Sequence, residues 1–270
     1  MRLPFMTTQE VAGILGLRSA RRMYRSLVTP RRKILLRDAL NLGIFGSPWP
    51  MKYMLLYVRP SDVNHIADEA GFSVFRKSTP NVVMAGAWDV NAIEWEQAQR
   101  NEDYLILQGV GQHVNGGVSW AGTDLYARLE RMIDQHGGPV DGCKNLADIE
   151  ERYRGLDDVI EFARRNRCLK SQSAVSGGFR ESGGIDVSVA RNGEILKSGG
   201  GGHRLAIAKS LNLPAIPVCL NAVHPLALST GSWQAVVQSS IQLQRLQETQ
   251  AQSWSSPLSG VQAVNCTEAK

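Results

Sequence analysis

The stretch that decides the fold is Ile185-Asp186-Val187-Ser188-Val189-Ala190-Arg191-Asn192-Gly193-Glu194-Ile195-Leu196-Lys197-Ser198-Gly199-Gly200-Gly201-Gly202-His203-Arg204-Leu205-Ala206-Ile207-Ala208-Lys209, continued by Leu213-Pro214-Ala215-Ile216-Pro217-Val218. Ile185, Val187 and Val189 alternate with polar residues, the period of a half-buried strand. Asn192-Gly193 centres a tight hairpin turn, and Ile195-Leu196 returns the chain. Four glycines then lead into a helix over 205–211. Asn212 suits the left-handed position past its end, Leu213 folds back onto it, and Pro214 blocks continuation. Residues 215–220 form a closing apolar strand. Strands and a helix in this short span predict an α+β domain.

The glycines also carry chemistry. They let a backbone approach a ligand closely and adopt positive φ. N–H groups at a helix start converge on one spot, where the helix dipole favours an anion. Arg204 adds a fork for phosphate oxygens, and His203 can give a hydrogen bond or a proton near pH 7. Gly199, Gly200, Gly201, Gly202, His203 and Arg204 therefore read as a phosphate cradle. A flexible hairpin end with a helix cap is the plainer alternative, and the His-Arg pair tips the balance toward the anion. The Walker spacing is absent. No acidic residue follows a second strand as a dinucleotide fingerprint requires.

Working outward, residues 52–59 form an apolar strand ended by Pro60, with Ser61 or Asp62 capping a short helical turn. Residues 71–90 contain a short strand, a Pro80-Asn81 turn and the segment Gly86-Ala87-Trp88-Asp89. A helix is expected over 92–107, a glycine-rich loop over 109–122, and helices from Thr123 to Ile133 and from Asn145 or Leu146 to about Arg167. Residues 171–184 read as a mobile surface loop. After His224-Pro225 the chain turns Gln- and Ser-rich. Val237, Ile241 and Leu243 support one helix, and the rest, from about Thr249, reads as a disordered tail, so that 226–270 is largely disordered.

The chain has 270 residues, 43% hydrophobic and 20% charged. That is ordinary globular composition, which excludes a fibrous or wholly disordered protein. No apolar run nears the roughly 20 residues of a membrane span, and no secretory signal is evident. The four cysteines, 143, 168, 219 and 266, form no Cys-x-x-Cys pair. A soluble, cytoplasmic protein without a cysteine metal site is expected. The net charge is +5, and residues 1–40 hold more than the whole excess: Arg2, Arg18, Arg21, Arg22, Arg25, Arg31, Arg32, Lys33 and Arg37 against Glu10 and Asp38. Such an arm suits nucleic acid; a solvated Arg-rich face is the plainer reading. Residues 7–17 resemble the first helix of an excisionase-type helix-turn-helix, with Arg18–Arg25 as the recognition helix.

The decisive stretch resembles the ParB/sulfiredoxin superfamily: strand, Gly-x-His-Arg-type helix start, alanine-rich helix, Ile-Pro-Val strand. Tyr57-Val58-Arg59-Pro60-Ser61-Asp62-Val63 resembles that fold's first strand, and residues 146–167 resemble the helix before its second strand. Between them, Gly86-Ala87-Trp88-Asp89, Tyr104 and Trp120-x-x-Thr123-x-x-Tyr126 resemble prokaryotic ParB-like proteins with a Gly-x-Trp-Asp segment, a group without a settled activity. The resemblance implies a ParB/sulfiredoxin-like small mixed sheet with helices over 51–225, with a helical insertion at about 86–145; charge and composition set off a basic helical region over 1–50 and the tail over 226–270.

It further implies that the helix start holds nucleotide phosphates, of ATP or CTP, with Mg2+ as the metal of a phosphoryl transfer. The departures are informative. Sulfiredoxins place a catalytic Cys where Gly202 stands, so that chemistry is excluded. Partition proteins carry Glu where His203 stands. The kinase branch places an Asp before its glycine, where Ser198-Gly199-Gly200 offers no carboxylate. A base must then come from elsewhere; Asp62 and Asp89 are the candidates, with His203 as the third catalytic candidate. Each has a structural alternative, Asp62 as a helix cap and Asp89 as a turn residue. Trp88, Trp95 and Trp120 suit the core, or else stack a base. The expected function is a phosphotransferase or nucleotide hydrolase acting on a small substrate. The alternative is a DNA-binding or partner-binding protein without catalysis.

Overall fold

The computed structural model describes residues 30–68, 82–97, 102–136, 140 and 142–255. The helix-turn-helix resemblance, the Pro80-Asn81 turn and the end of the tail lie outside them. The protein is α+β. Its described strands are β1 (Leu55–Val58), β2 (His65–Ile66), β3 (Ile93–Glu94), β4 (Asp186–Val189), β5 (Ile195–Lys197) and β6 (Ile216–Val223). Its described helices are α1 (Pro30–Phe45), α2 (Glu102–Gly116), α3 (Asp124–His136), α4 (Leu146–Asn166), α5 (Gln172–Ser176), α6 (Gly202–Ser210), α7 (Pro225–Thr230) and α8 (Ser232–Ser255).

The six strands form one mixed sheet in the order β1-β6-β4-β5-β2-β3. The β4–β5 hairpin pairs Val189 with Ile195 and Val187 with Lys197. β6 runs parallel to β4 and antiparallel to β1. Every residue of β6 but Asn221 is buried, as a strand covered on both faces requires. Between β5 and β6 the chain crosses over through α6, whose Leu205, Ala206, Ile207 and Ala208 are buried. α2 packs on α6.

Three expectations are corrected. The helix over 92–107 and the loop over 109–122 give way to β3, a 3₁₀ turn at Trp95–Gln97 and then α2, which runs through the glycines to Gly116. Gly109 is a packing residue: a Cβ there would stand 2.7 Å from Leu125 Cβ of α3. The supposed mobile loop 171–184 contains α5, capped by Ser171. It is tied down by fully buried Glu181, whose carboxylate accepts hydrogen bonds from the Gln172 and Ser173 amides and the Ser173 hydroxyl. The helix expected from Val237, Ile241 and Leu243 forms and runs to Ser255, past the Thr249 at which a disordered tail is expected to begin. Buried Trp233, Val237, Ser240 and Leu243 make a stripe along α8 that covers edge strand β1, where the Ser240 hydroxyl accepts the Tyr57 amide at 2.8 Å. An edge strand needs such a cover, and that need is not visible in a Gln/Ser-rich composition.

The helix at 146–166 forms as expected, with Asn145 accepting the Asp148 amide at 3.0 Å and Ile149, Tyr153, Ile160 and Ala163 buried. Asn212 takes the left-handed conformation at φ 47°. Among the described residues no helix is long and apolar enough to cross a membrane.

Candidate functional site

Residues 198–201 join the C-terminal end of β5 to the first residue of α6. The loop lies against the start of β4. The Asp186 amide donates to Gly200 O at 3.1 Å and the Ser198 amide to Asp186 O at 3.0 Å. The Gly200 amide donates to Asp186 Oδ2 at 3.0 Å. The four glycines are not equivalent. Gly201 sits at φ 83°, and a Cβ there would lie 2.5 Å from Ile185 Cα, so the loop crosses β4 backbone against backbone. A Cβ on Gly202 would lie 2.6 Å from Asp103 Oδ1. At Gly200 the nearest atom to a Cβ is 3.5 Å away. Much of the glycine run is thus demanded by the fold itself, independently of any ligand.

The side chains gathered here are mostly not those the sequence pointed to. Lys197, last residue of β5, is completely buried; its ammonium donates to Gly199 O and lies 3.6 Å from Asp103 Oδ2. Asp103 comes from the first turn of α2. Asp186 opens β4, half-buried. The Cys219 thiol beside it is held well above its usual pKa by burial and by the Asp186 carboxylate, so it stays protonated and unreactive. Next to the loop, Lys52 Nζ donates to Asn221 Oδ1 at 2.8 Å, and Asn221 Nδ2 donates to Ser198 O at 3.2 Å.

Arg204 is at the helix start as expected, but it is not simply exposed. Its Nη1 donates to Gln172 Oε1 at 2.9 Å and its Nη2 to the Lys170 carbonyl. Burial lowers its pKa, opposed by the Glu181 carboxylate; a guanidinium nevertheless stays charged. His203 is buried at 9% exposure and meets the Tyr153 ring of α4 edge to face, 6.2 Å between centroids. It is therefore packed against the helical layer, one helical step round from Arg204.

Asp62 and Asp89 lie elsewhere. Asp89 accepts from Arg191 Nε and Nη2 and from the Arg191 amide, each at 2.8 Å. Arg191 begins the turn beyond β4, five residues from Asp186, or roughly 16 Å along a strand. Burial would raise the Asp89 pKa, but the Arg191 hydrogen bonds outweigh it and hold the carboxyl below its ordinary value. Asp62 is exposed beside Arg59 at 3.9 Å. It lines a groove of about 350 Å³ with Asn192, Glu194 and one side of α8, at the same end of the hairpin as Asp89. Neither carboxylate shares a described contact with residues 199–204. Trp88, Trp95 and Trp120 are core residues at 8% exposure or less, their indole N–H groups donating to Met84 O, Val63 O and Asp157 Oδ1; the base-stacking alternative is set aside.

The loop thus collects a buried ammonium, a guanidinium and two carboxylates around the start of a helix. Two carboxylates from other elements lie at the loop, Asp186 from β4 and Asp103 from α2. Lys197 left one trace in the sequence: it follows Ile195 at strand period onto the buried face. Asp103, on a distant helix, left none. Among the described residues no three His, Cys, Asp or Glu side chains are grouped to share a metal. Compared with protein-family models, curated proteins and solved structures, the chain matches none.

Proposed function

We propose that the chain is a ParB-like protein that binds the phosphates of ATP or CTP at residues 199–204, as a phosphotransferase or nucleotide hydrolase acting on a small substrate. The observation that carries this reading is the buried Lys197 ammonium at the glycine loop, beside a helix start and the Arg204 guanidinium. Positive charge with little water around it acts strongly on phosphoryl oxygens.

Asp186, not Asp62 or Asp89, is the carboxylate at the loop and serves as the base. It accepts the proton of the attacking hydroxyl as that oxygen bonds to the terminal phosphorus and the bond to the nucleoside diphosphate breaks. Its oxygen also fits Mg2+, which takes one or two carboxylates together with phosphate oxygens and supplies charge neutralisation when bound. Arg204 holds the phosphates; His203 supports Arg204 by packing α6 onto α4.

The test is a thermal-shift panel of nucleotides with and without Mg2+, followed by turnover with small alcohols and amino acids. A rise in melting temperature with ATP or CTP, retained in Asp186→Asn while turnover is lost, supports the reading. No response to any nucleotide overturns it. One observation favours the partner-binding alternative without catalysis: Arg204 is tied to Gln172 and Lys170 within the chain. A nucleic-acid contact through residues 1–40 keeps Arg31 and Arg32 of α1, both exposed, as its described part. A DNA affinity that falls steeply with salt identifies it.

A further inference from the structure

Helix α1 has two sides, and the outer one is as apolar as a core. On the inner side Ile34 and Asp38 are buried, and Arg180 Nη1 donates to Asp38 Oδ2 at 2.5 Å. The opposite side is exposed at residues 35, 36, 39, 40, 43 and 44. These are Leu, Leu, Ala, Leu, Gly and Ile, so from 35 to 44 every exposed position is apolar. Leu36 is 48% and Ile44 57% exposed. A surface helix ordinarily turns polar residues outward; one that is apolar all round is a helix meant to be covered on all sides.

Gly43 points to what covers it. Glycine inside a helix is destabilising relative to alanine. Its φ is not positive, and among the described residues a Cβ there would meet no atom within 4 Å. No contact within the described chain demands the glycine. The order of sizes along the face is, however, complementary to itself. Turned end for end about a two-fold axis between residues 39 and 40, it sets Leu36 opposite Gly43, Leu40 opposite Ala39 and Leu35 opposite Ile44. Large side chains then meet small ones, as close packing of two elements requires, and the same patch serves both copies. The charges agree. Arg31, Arg32 and Lys33 stand in the first turn, and the last turn holds no basic residue. That is the reverse of what the helix dipole favours within one helix. Antiparallel pairing brings Arg32 and Lys33 beside Ser47 and Gly46 of the other copy, at the carbonyl end of its α1, where cations are stabilising.

We propose that the outer face of α1 docks a second copy of this chain, antiparallel and about a two-fold axis. A lipid surface would also take up leucines and cations, but it gains nothing from glycine matched to leucine. The proposal is independent of the phosphate reading of residues 199–204. Six residues make a face smaller than the roughly 800 Å² per partner of a standard interface, so the dimer is weak, with a Kd on the order of 10 µM.

The experiment is sedimentation of the full chain over a concentration series spanning that value, with circular dichroism as the check on folding. The wild type is expected to pass from monomer to dimer. Gly43→Leu fills the space that receives Leu36 of the other copy and is expected to weaken the dimer about tenfold or more. Leu36→Ala combined with Gly43→Leu exchanges large and small across the axis and is expected to recover most of that loss. Leu40→Lys sets like charges close to the axis and is expected to leave monomer only. Leu40 is exposed, so this variant keeps the test open should Gly43→Leu fail to fold. A wild type that is monomeric at every concentration overturns the proposal. So does a dimer that Leu40→Lys leaves intact, and so does a loss in Gly43→Leu that Leu36→Ala does not recover. A monomer that binds vesicles of anionic phospholipid overturns it in favour of a membrane surface.

Discussion

The two ends of the β4–β5 hairpin each bring acids and bases together, and they do so differently. At the turn, Arg191 and Asp89 close on each other with three hydrogen bonds of 2.8 Å; the Asp89 side chain is 1% exposed. The pair is complete, and no oxygen is turned toward a ligand. At the glycine loop, Lys197, Asp103, Asp186 and Arg204 come from four different elements. Lys197 and Asp103 face each other at 3.6 Å, beyond hydrogen-bond contact, while Asp186 and Arg204 engage backbone and amide groups around them. A charge pair closed on itself makes structure; charges spread over several elements around a helix start can be rearranged by a ligand. Being acidic and near a turn does not separate these cases, and partner geometry does.

Five substitutions test this contrast. The largest effect is expected at Gly201→Ala. Its Cβ would stand 2.5 Å from the Ile185 backbone at a φ of 83°, so stability should fall by about 3 kcal/mol or more. Gly200→Ala, one residue away, should change it by less than about 0.5 kcal/mol. Chemical denaturation of both measures the pair, and equal losses would show that the backbone crossing is not what demands glycine.

Next is Asp89→Asn, expected to cost about 2 kcal/mol through lost charge-assisted hydrogen bonds while leaving nucleotide binding unchanged. Its pH dependence has a definite sign. The folded-state pKa is lowered from 3.8, so the stabilisation is present above that value and is lost as the pH falls below it. The wild type should therefore lose melting temperature in acid more steeply than Asp89→Asn. Parallel acid limbs would mean that the Arg191 pair does not hold that carboxyl ionised. A loss of nucleotide binding would return Asp89 to the site.

Arg204→Ala is expected to abolish nucleotide binding and also to cost about 1 kcal/mol, because the guanidinium bridges α6 to Gln172 and Lys170. Unchanged affinity in calorimetry would remove Arg204 from the phosphate site. The smallest effect belongs to Asp62→Asn. Its ion pair with Arg59 is exposed on both sides, so stability should shift by less than about 0.5 kcal/mol, and turnover should not change. A collapse of turnover would move the reaction to the α8 groove.

The elements legible in the amino-acid order are those whose signals are local. The strand at Val187 and Val189, the Asn192-Gly193 turn, the left-handed Asn212 and the Asn145 cap rest on signals within a few residues of one another, and they form; the half-buried alternation does not, because Ser188 is buried as fully as the two valines. Long-range packing alone makes Gly109 a helix–helix contact, buries Glu181, lays α8 over β1 and brings Lys197 to Asp103 near the start of α6. Backbone conformation is set chiefly by near neighbours and by the period of apolar residues. The burial of a charge, and the identity of the charge facing it, are set by whichever distant segment packs there, and no local pattern records that choice.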